Sequence, residues 1–212
     1  MTEYYETSMD LETKKNADLE VVLLGYEDCA PGHAYGPTLR PYQLLHFVTK
    51  GEGSLRIQNQ TYSIREGDLF LIPEDRISYY EASTENPWSY AWAGFTGIRS
   101  DAVVRQFLET APERYVLRGV DVESYAARIR TAACLRQSGE AEYFYANSVL
   151  FALVSGIIAD LSAYSRSRYA PSLADRVKFY LDAKYAERVR IQELSEVFGV
   201  HPNHLTRVFR EK

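Results

Sequence analysis

The feature that most constrains this chain is a change of hydrophobic period near residue 97. From about 19 to 97 the sequence runs as short segments of alternating apolar and polar residues broken by glycine-bearing turns. "LEVVLLG", "YQLLHFV", "GSLRIQ", "TYSI", "DLFLIP", "SYYEA" and "WSYAWAGF" read as strands, and "KGEG", "QNQ" and "REGD" as the turns between them. So many short strands with close turns require a sandwich or a barrel. From about 98 to 165 the spacing becomes helical. "SDAVVRQFLETA" and "DVESYAARIRTAACLRQ" lead into a long stretch, "EAEYFYANSVLFALVSGIIADLSAYS". Phe144, Val149, Leu150, Phe151, Leu153, Val154, Ile157, Ile158 and Leu161 cover more than one stripe of that last helix. It is expected to be buried on several sides, within the monomer or against a second copy.

"SRSRYAPS" reads as a linker, because Pro171 stops the long helix from continuing. Beyond it "SLADRVKFYLDAKYAER" is amphipathic, with Leu173, Val177, Tyr180 and Leu181 on one face. "IQELSEVFGVHPNHLTRVFREK" then reads as two short helices around a turn. Gly199 accepts the positive φ of the turn, Pro202 suits a first helical position, and Leu205, Val208 and Phe209 point inward. That is the spacing of a helix-turn-helix. It leaves Asn203, Thr206, Arg207 and Arg210 outward, where Asn and Arg suit the edges of adenine and guanine and Arg suits phosphates.

Charge follows the same division. Residues 166–212 carry 10 Lys/Arg against 6 Asp/Glu, while the preceding 165 carry 14 against 23. A basic tail on an acidic body fits an anionic partner for the tail alone. The acidic N-terminus is neither a signal nor a transit peptide, and the longest apolar run is too short to span a bilayer and contains Asp160. Cys29 and Cys134 lie far apart and fit reduced thiols of a cytoplasmic protein.

The tail resembles the first helix-turn-helix of the AraC/XylS family of bacterial transcription regulators through Ile191, Leu194, Ser195, Gly199, Val200, His204, Leu205, Arg207 and Phe209. By that resemblance the base-reading residues are Asn203, Thr206 and Arg207. His201 departs from the family's usual Ser, a better helix cap, so a looser start to the last helix is expected. Family members carry a second helix-turn-helix, so the resemblance implies a chain truncated within its DNA-binding part and binding DNA weakly. "PYQLLHFVTKGEGSLRIQNQTYSIREGDLFLIPEDRISYYEASTENPWSYAWAGFTG" and the upstream "GYEDCAPGHAYGPTLR" are similar to the cupin-type sensor of AraC-like regulators of sugar operons, such as the raffinose and multiple-sugar regulators of Gram-positive bacteria.

The expected fold is therefore α+β. A cupin-like effector-binding barrel spans 1–97, a helical dimerisation segment 98–165, a linker 166–172 and a partial helix-turn-helix domain 173–212, with homodimer pairing through helices around 141–164. Trp88, Tyr90 and Trp92 alternate onto one strand face near Tyr80, and Tyr42, Leu44, His46 and Val48 share another. An aromatic wall with polar tips suits a mono- or oligosaccharide. By resemblance to the arabinose-responsive member of the family, Tyr80, Tyr90 and Trp92 match pocket positions, and Arg40, Tyr42 and His46 are added by proximity. No His-x-His pair with a further ligand and no nucleophile motif appears among the four histidines and their surroundings, so no metal, cofactor or catalytic set is expected. The rival readings are a small cupin enzyme acting on a sugar and an interaction module without DNA binding of its own.

Overall fold

The computed structural model describes residues 4–8, 18–134, 140–169, 173–185 and 189–210. The chain divides into two compact units, 1–164 and 165–212. The first contains β1 (Tyr4–Ser8), β2 (Glu20–Asp28), β3 (Ala34–Thr38), β4 (Gln43–Lys50), β5 (Glu52–Ile57), β6 (Gln60–Arg65), β7 (Leu69–Ile72), β8 (Ser78–Ala82), β9 (Ser89–Thr96), α1 (Ser100–Thr110), β10 (Val116–Leu117), α2 (Val122–Ala133) and most of α3 (Glu140–Tyr169). The strands form two antiparallel sheets, ordered β1-β2-β9-β4-β7-β10 and β3-β8-β5-β6.

Alternation along the strands builds two cores from one sheet. Leu44 and Val48 of β4, Phe70 and Ile72 of β7, and Tyr90 and Trp92 of β9 face the smaller sheet, where they meet Leu55, Ile57, Ile64 and Tyr80. The intervening Leu45, Phe47, Leu69, Leu71, Ala91, Ala93 and Phe95 face the helices. Both faces of β4, β7 and β9 are therefore covered, which is why these strands read as nearly continuous apolar runs. This is an α+β fold, with an N-terminal pair of antiparallel sheets followed by a helical C-terminal region.

The helices are tied to the sheet by specific polar contacts. The register of β2 against β9 slips between Val21 and Leu23, and Asn147 Oδ1 of α3 accepts the Val21 N–H at 3.1 Å. Tyr125 of α2 lies against Gly156 of α3, leaving no room for a side chain there, and donates its hydroxyl to Asp160 at 2.6 Å. α3 is long and apolar enough by composition to cross a membrane. Its sheet-facing side nevertheless carries these polar contacts and packs Ala146, Leu150, Leu153 and Ile157 into the core.

Three strands, β1, β3 and β10, lie where the sequence pattern shows none. α3 also stays helical through Tyr169, overrunning the expected start of the linker at 166; residues 170–172 lie outside the described residues.

The second unit holds α4 (Leu173–Ala183), α5 (Ile191–Phe198) and α6 (Pro202–Arg210). Val177, Leu194 and Leu205, one from each helix, form its centre, with Leu173, Tyr180, Phe198 and Val200 around them. Gly199 ends α5 in the left-handed region at φ +64°, and the Val200 N–H closes back on the Ser195 carbonyl at 3.0 Å.

Candidate functional site

Between the two sheets lies a cavity of about 260 Å³, and all six residues expected at an effector pocket line it: Arg40, Tyr42, His46, Tyr80, Tyr90 and Trp92. Their convergence follows from register. His46 of β4 pairs with Trp92 of β9, placing both on the inner face beside Tyr90. His46 stacks on Phe70 at 4.4 Å and meets the edges of Tyr80 and Tyr90 at 4.9 and 5.0 Å. Trp92 packs edge-to-face on Tyr90 at 5.6 Å. Glycines make the space. Gly25, paired with Trp92 across β2 and β9, has no Cβ to collide with the indole, and the Tyr42 ring lies over Gly94.

The polar groups at this end are under-satisfied. Arg40 is 7% exposed; its Nη2 donates to the Tyr80 hydroxyl at 3.3 Å and its guanidinium lies 4.5 Å from the Tyr35 ring centre. Among the described residues its Nη1 has no hydrogen-bond partner, and neither has Nδ1 of His46. Burial, reinforced by the Arg40 charge, holds the His46 pKa well below its ordinary value, so the ring is neutral. Burial also pushes the Tyr80 and Tyr90 hydroxyls up, and both stay protonated.

The structure adds lining residues that the strand pattern does not reveal. β1 brings Tyr4 and Glu6, β2 brings Leu23 and Glu27, the turn into β3 brings His33, and β3 itself brings Tyr35. Tyr4 lies 6.0 Å from Trp92, and Tyr35 stacks on Tyr80 at 5.6 Å. The Pro31-Gly32 turn was the available signal for His33. Burial raises the Glu27 carboxyl, with His33 opposing the shift. Cys29, beside it and buried, has its thiol pushed up to about 12, first by burial and then by Glu27. Trp88 does not line the cavity. It is buried beneath it against Phe70 and Tyr90, because the residue after Pro87 points into the inter-sheet core. Val48, on the face shared with His46, is likewise core.

On the second unit, Asn203, Thr206 and Arg207 lie exposed along α6, while Leu205 faces inward. The Thr206 hydroxyl donates to the Pro202 carbonyl at 3.1 Å, leaving its methyl and lone pairs outward. Arg207 Nη2 lies 3.2 Å from His204 Nδ1. Arg210 falls within the last turn of α6, but its side chain lies outside the described residues. The looser start expected from His201 is not what the structure has: its Nδ1 accepts the Asn203 N–H at 3.2 Å, as a serine hydroxyl would.

Comparison with known proteins agrees with this architecture. The chain is 26% identical over 204 residues to the Msm operon regulatory protein of Streptococcus mutans, an alignment covering 92% of this chain and 72% of that protein. It is 24% identical over 210 residues to the raffinose operon transcriptional regulatory protein RafR of Pediococcus pentosaceus, covering 92% and 73%. It is 22% identical over 210 residues to the lactose operon transcription activator of Staphylococcus xylosus, covering 93% and 72%. The model of the AraC-like ligand binding domain matches residues 20–154. With well over half of its length matched, the chain belongs to the family of AraC-like ligand binding domains.

Proposed function

We propose that this protein is a cytoplasmic transcription regulator of a carbohydrate-use operon, with a sugar as its effector and no catalytic activity. The observation that carries the reading is the cavity itself. Aromatic faces from Tyr80, Tyr90 and Trp92 surround a space in which buried Arg40 Nη1 and His46 Nδ1 have no partner among the described residues. Each such orphan costs about 1–3 kcal/mol, which ligand oxygens recover. Ring C–H faces pack on aromatics while hydroxyls take the polar tips. A volume near 260 Å³ falls just below the roughly 300–1,000 Å³ typical of drug-sized ligands, which fits one sugar ring. The relatives named as regulators of raffinose and lactose operons support the same class of effector.

In this reading the exposed residues of α6 meet DNA, Asn203 and Arg207 at base edges, and two copies pair through α3. The outward stripe of α3 runs Phe144, Ser148, Phe151, Ser155, a four-three-four spacing, with Phe144 61% and Phe151 46% exposed. A second copy presents the same stripe and completes a two-fold contact. A sugar that favours one arrangement of the pair shifts the population toward it by linkage.

A thermal-shift panel of mono- and oligosaccharides tests the reading. A ligand at 100 times its Kd stabilises the fold by about 2.7 kcal/mol. If no sugar moves the transition, the effector class is wrong.

A further inference from the structure

A second group of side chains meets at one end of the cavity, and neither the aromatic wall nor the DNA-facing helix uses it. Glu27 and Cys29, two residues apart where β2 ends, place their side chains on the same side of the chain. The backbone then reverses. The His33 N–H closes on the Ala30 carbonyl at 2.9 Å around Pro31 and Gly32, with Gly32 at φ +70°, the geometry of a type II turn. That turn brings His33 back beside Glu27, and the Cys29 N–H is tied to the Trp88 carbonyl at 3.1 Å. The three are therefore held by a short, hydrogen-bonded piece of backbone rather than by a free loop.

Their donor atoms, one carboxylate oxygen, one sulfur and one imidazole nitrogen, all lie within 4.8 Å of one another. His33 Nε2 and Glu27 Oε1 are 3.6 Å apart, too far for a hydrogen bond. In a tetrahedral zinc site, metal–ligand lengths of 2.0–2.3 Å set ligand–ligand separations of about 3.3–3.6 Å. The His–Glu pair already has that spacing, and the sulfur needs to close in by about an ångström at most to join it. The Tyr90 side chain acts on both the Glu27 carboxyl and the Cys29 thiol, a position from which an outer contact can orient metal ligands. Glu27 and His33 also line the cavity, which leaves a fourth direction open.

We propose that Glu27, Cys29 and His33 form a zinc site at the edge of the cavity, with its fourth position facing the cavity and taken by water or a ligand oxygen. Thiolate and imidazole together favour zinc over magnesium or calcium, which take oxygen donors. The thiol loses its proton to solvent as the ion binds, and carboxylate plus thiolate then neutralise the divalent charge. Three protein ligands and one open position describe a site that binds or polarises an oxygen, not a closed structural one. The set escapes a search for His-x-His because its spacing, Glu-x-Cys-x3-His, converges only through the Pro31-Gly32 turn.

Cobalt substitution tests this directly, with Co²⁺ and Zn²⁺ alone as probes. The described free cysteines are Cys29 and the exposed Cys134, so Cys134→Ser leaves Cys29 to supply any thiolate. Chelator-treated Cys134→Ser protein should take up one Co²⁺, showing a thiolate charge-transfer band and tetrahedral visible bands that one equivalent of Zn²⁺ removes. The Cys29→Ser/Cys134→Ser protein should lack the charge-transfer band. Absence of the band in the first protein, or its persistence in the second, overturns the proposal. His33 is partly exposed, so His33→Ala folds normally; it should weaken Zn²⁺ binding beyond the roughly 10–100-fold typical of losing an outer-shell partner. Unchanged affinity in that variant also overturns it. The site does not depend on the sugar reading: a silent sugar panel with intact Co²⁺ binding removes only the effector assignment.

Discussion

Single residues decide the chemistry of the cavity, and two of them yield sharp expectations. Trp92 lies across Gly25, so Gly25→Ala must push the indole into the cavity. Effector binding should fall at least tenfold while the unfolding midpoint changes little, and Trp92→Ala should abolish the sugar-induced thermal shift. An unaltered shift in Trp92→Ala would remove the aromatic wall from the binding site. His46 gives a pH dependence. Its folded pKa is depressed by burial, so below about pH 6.5, the ordinary histidine value, the unfolded chain binds a proton that the folded chain does not. Stability therefore rises with pH through this range. Its loss on acidification should approach 1.4 kcal/mol per pH unit from this group alone. Comparing urea unfolding of wild type and His46→Gln between pH 7 and 5 isolates the slope; equal slopes would mean that His46 is not held neutral. Part of this residue-level picture was legible in the sequence: period-two alternation puts Tyr90 and Trp92 on one face of their strand and Tyr42 and His46 on one face of another. The family resemblance pointed to Tyr80, Tyr90 and Trp92, but that the two faces meet depends on the β4–β9 pairing. Glu27, His33 and Tyr35 were not legible, since their places depend on a chain reversal and on which strand lies opposite.

At the scale of elements, the inner strands could be read and the edges could not. β4, β7 and β9 are covered on both sides, so their apolar content is dense. β1 and β3 lie at sheet edges and are largely exposed, β3 carries Gly36 and Pro37, and β10 is two residues long. Such strands exist because a partner edge offers hydrogen bonds, and composition does not record that offer. β1 matters to the site because it carries Tyr4 and Glu6 to the cavity. α3 poses the complementary problem. Its apolar residues surround it, yet only the stripe facing the sheet and α2 is buried. If the outer stripe joins two copies, Phe151→Glu should convert a dimer to a monomer in size-exclusion chromatography with light scattering while leaving the secondary structure unchanged. A wild-type chain that is already monomeric would reject pairing through α3.

For the whole molecule, the two compact units allow their stabilities to be perturbed separately. Leu205 is one of three central side chains in the second unit. Leu205→Ala should cost it about 2–5 kcal/mol, enough to unfold so small a core, while the sugar response of the first unit persists. Loss of that response in Leu205→Ala would show that the units do not fold independently. Arg207→Ala should leave both units folded and reduce DNA affinity by about 1–3 kcal/mol. The sequence by itself determined the α+β class, the change from strands to helices near residue 97, the helix-turn-helix spacing and the aromatic strand faces. All of these are periodic properties of contiguous residues, set by the geometry of a strand or a helix before any tertiary contact forms. Only the tertiary structure decided which faces meet. It put Tyr4 opposite Trp92, folded His33 back onto Glu27 beside Cys29, left Arg40 and His46 with unpaired atoms, and chose the stripe of α3 that stays outside. Those outcomes depend on register, chain reversal and packing between distant segments, where the free energy belongs to pairs of residues that no local pattern links.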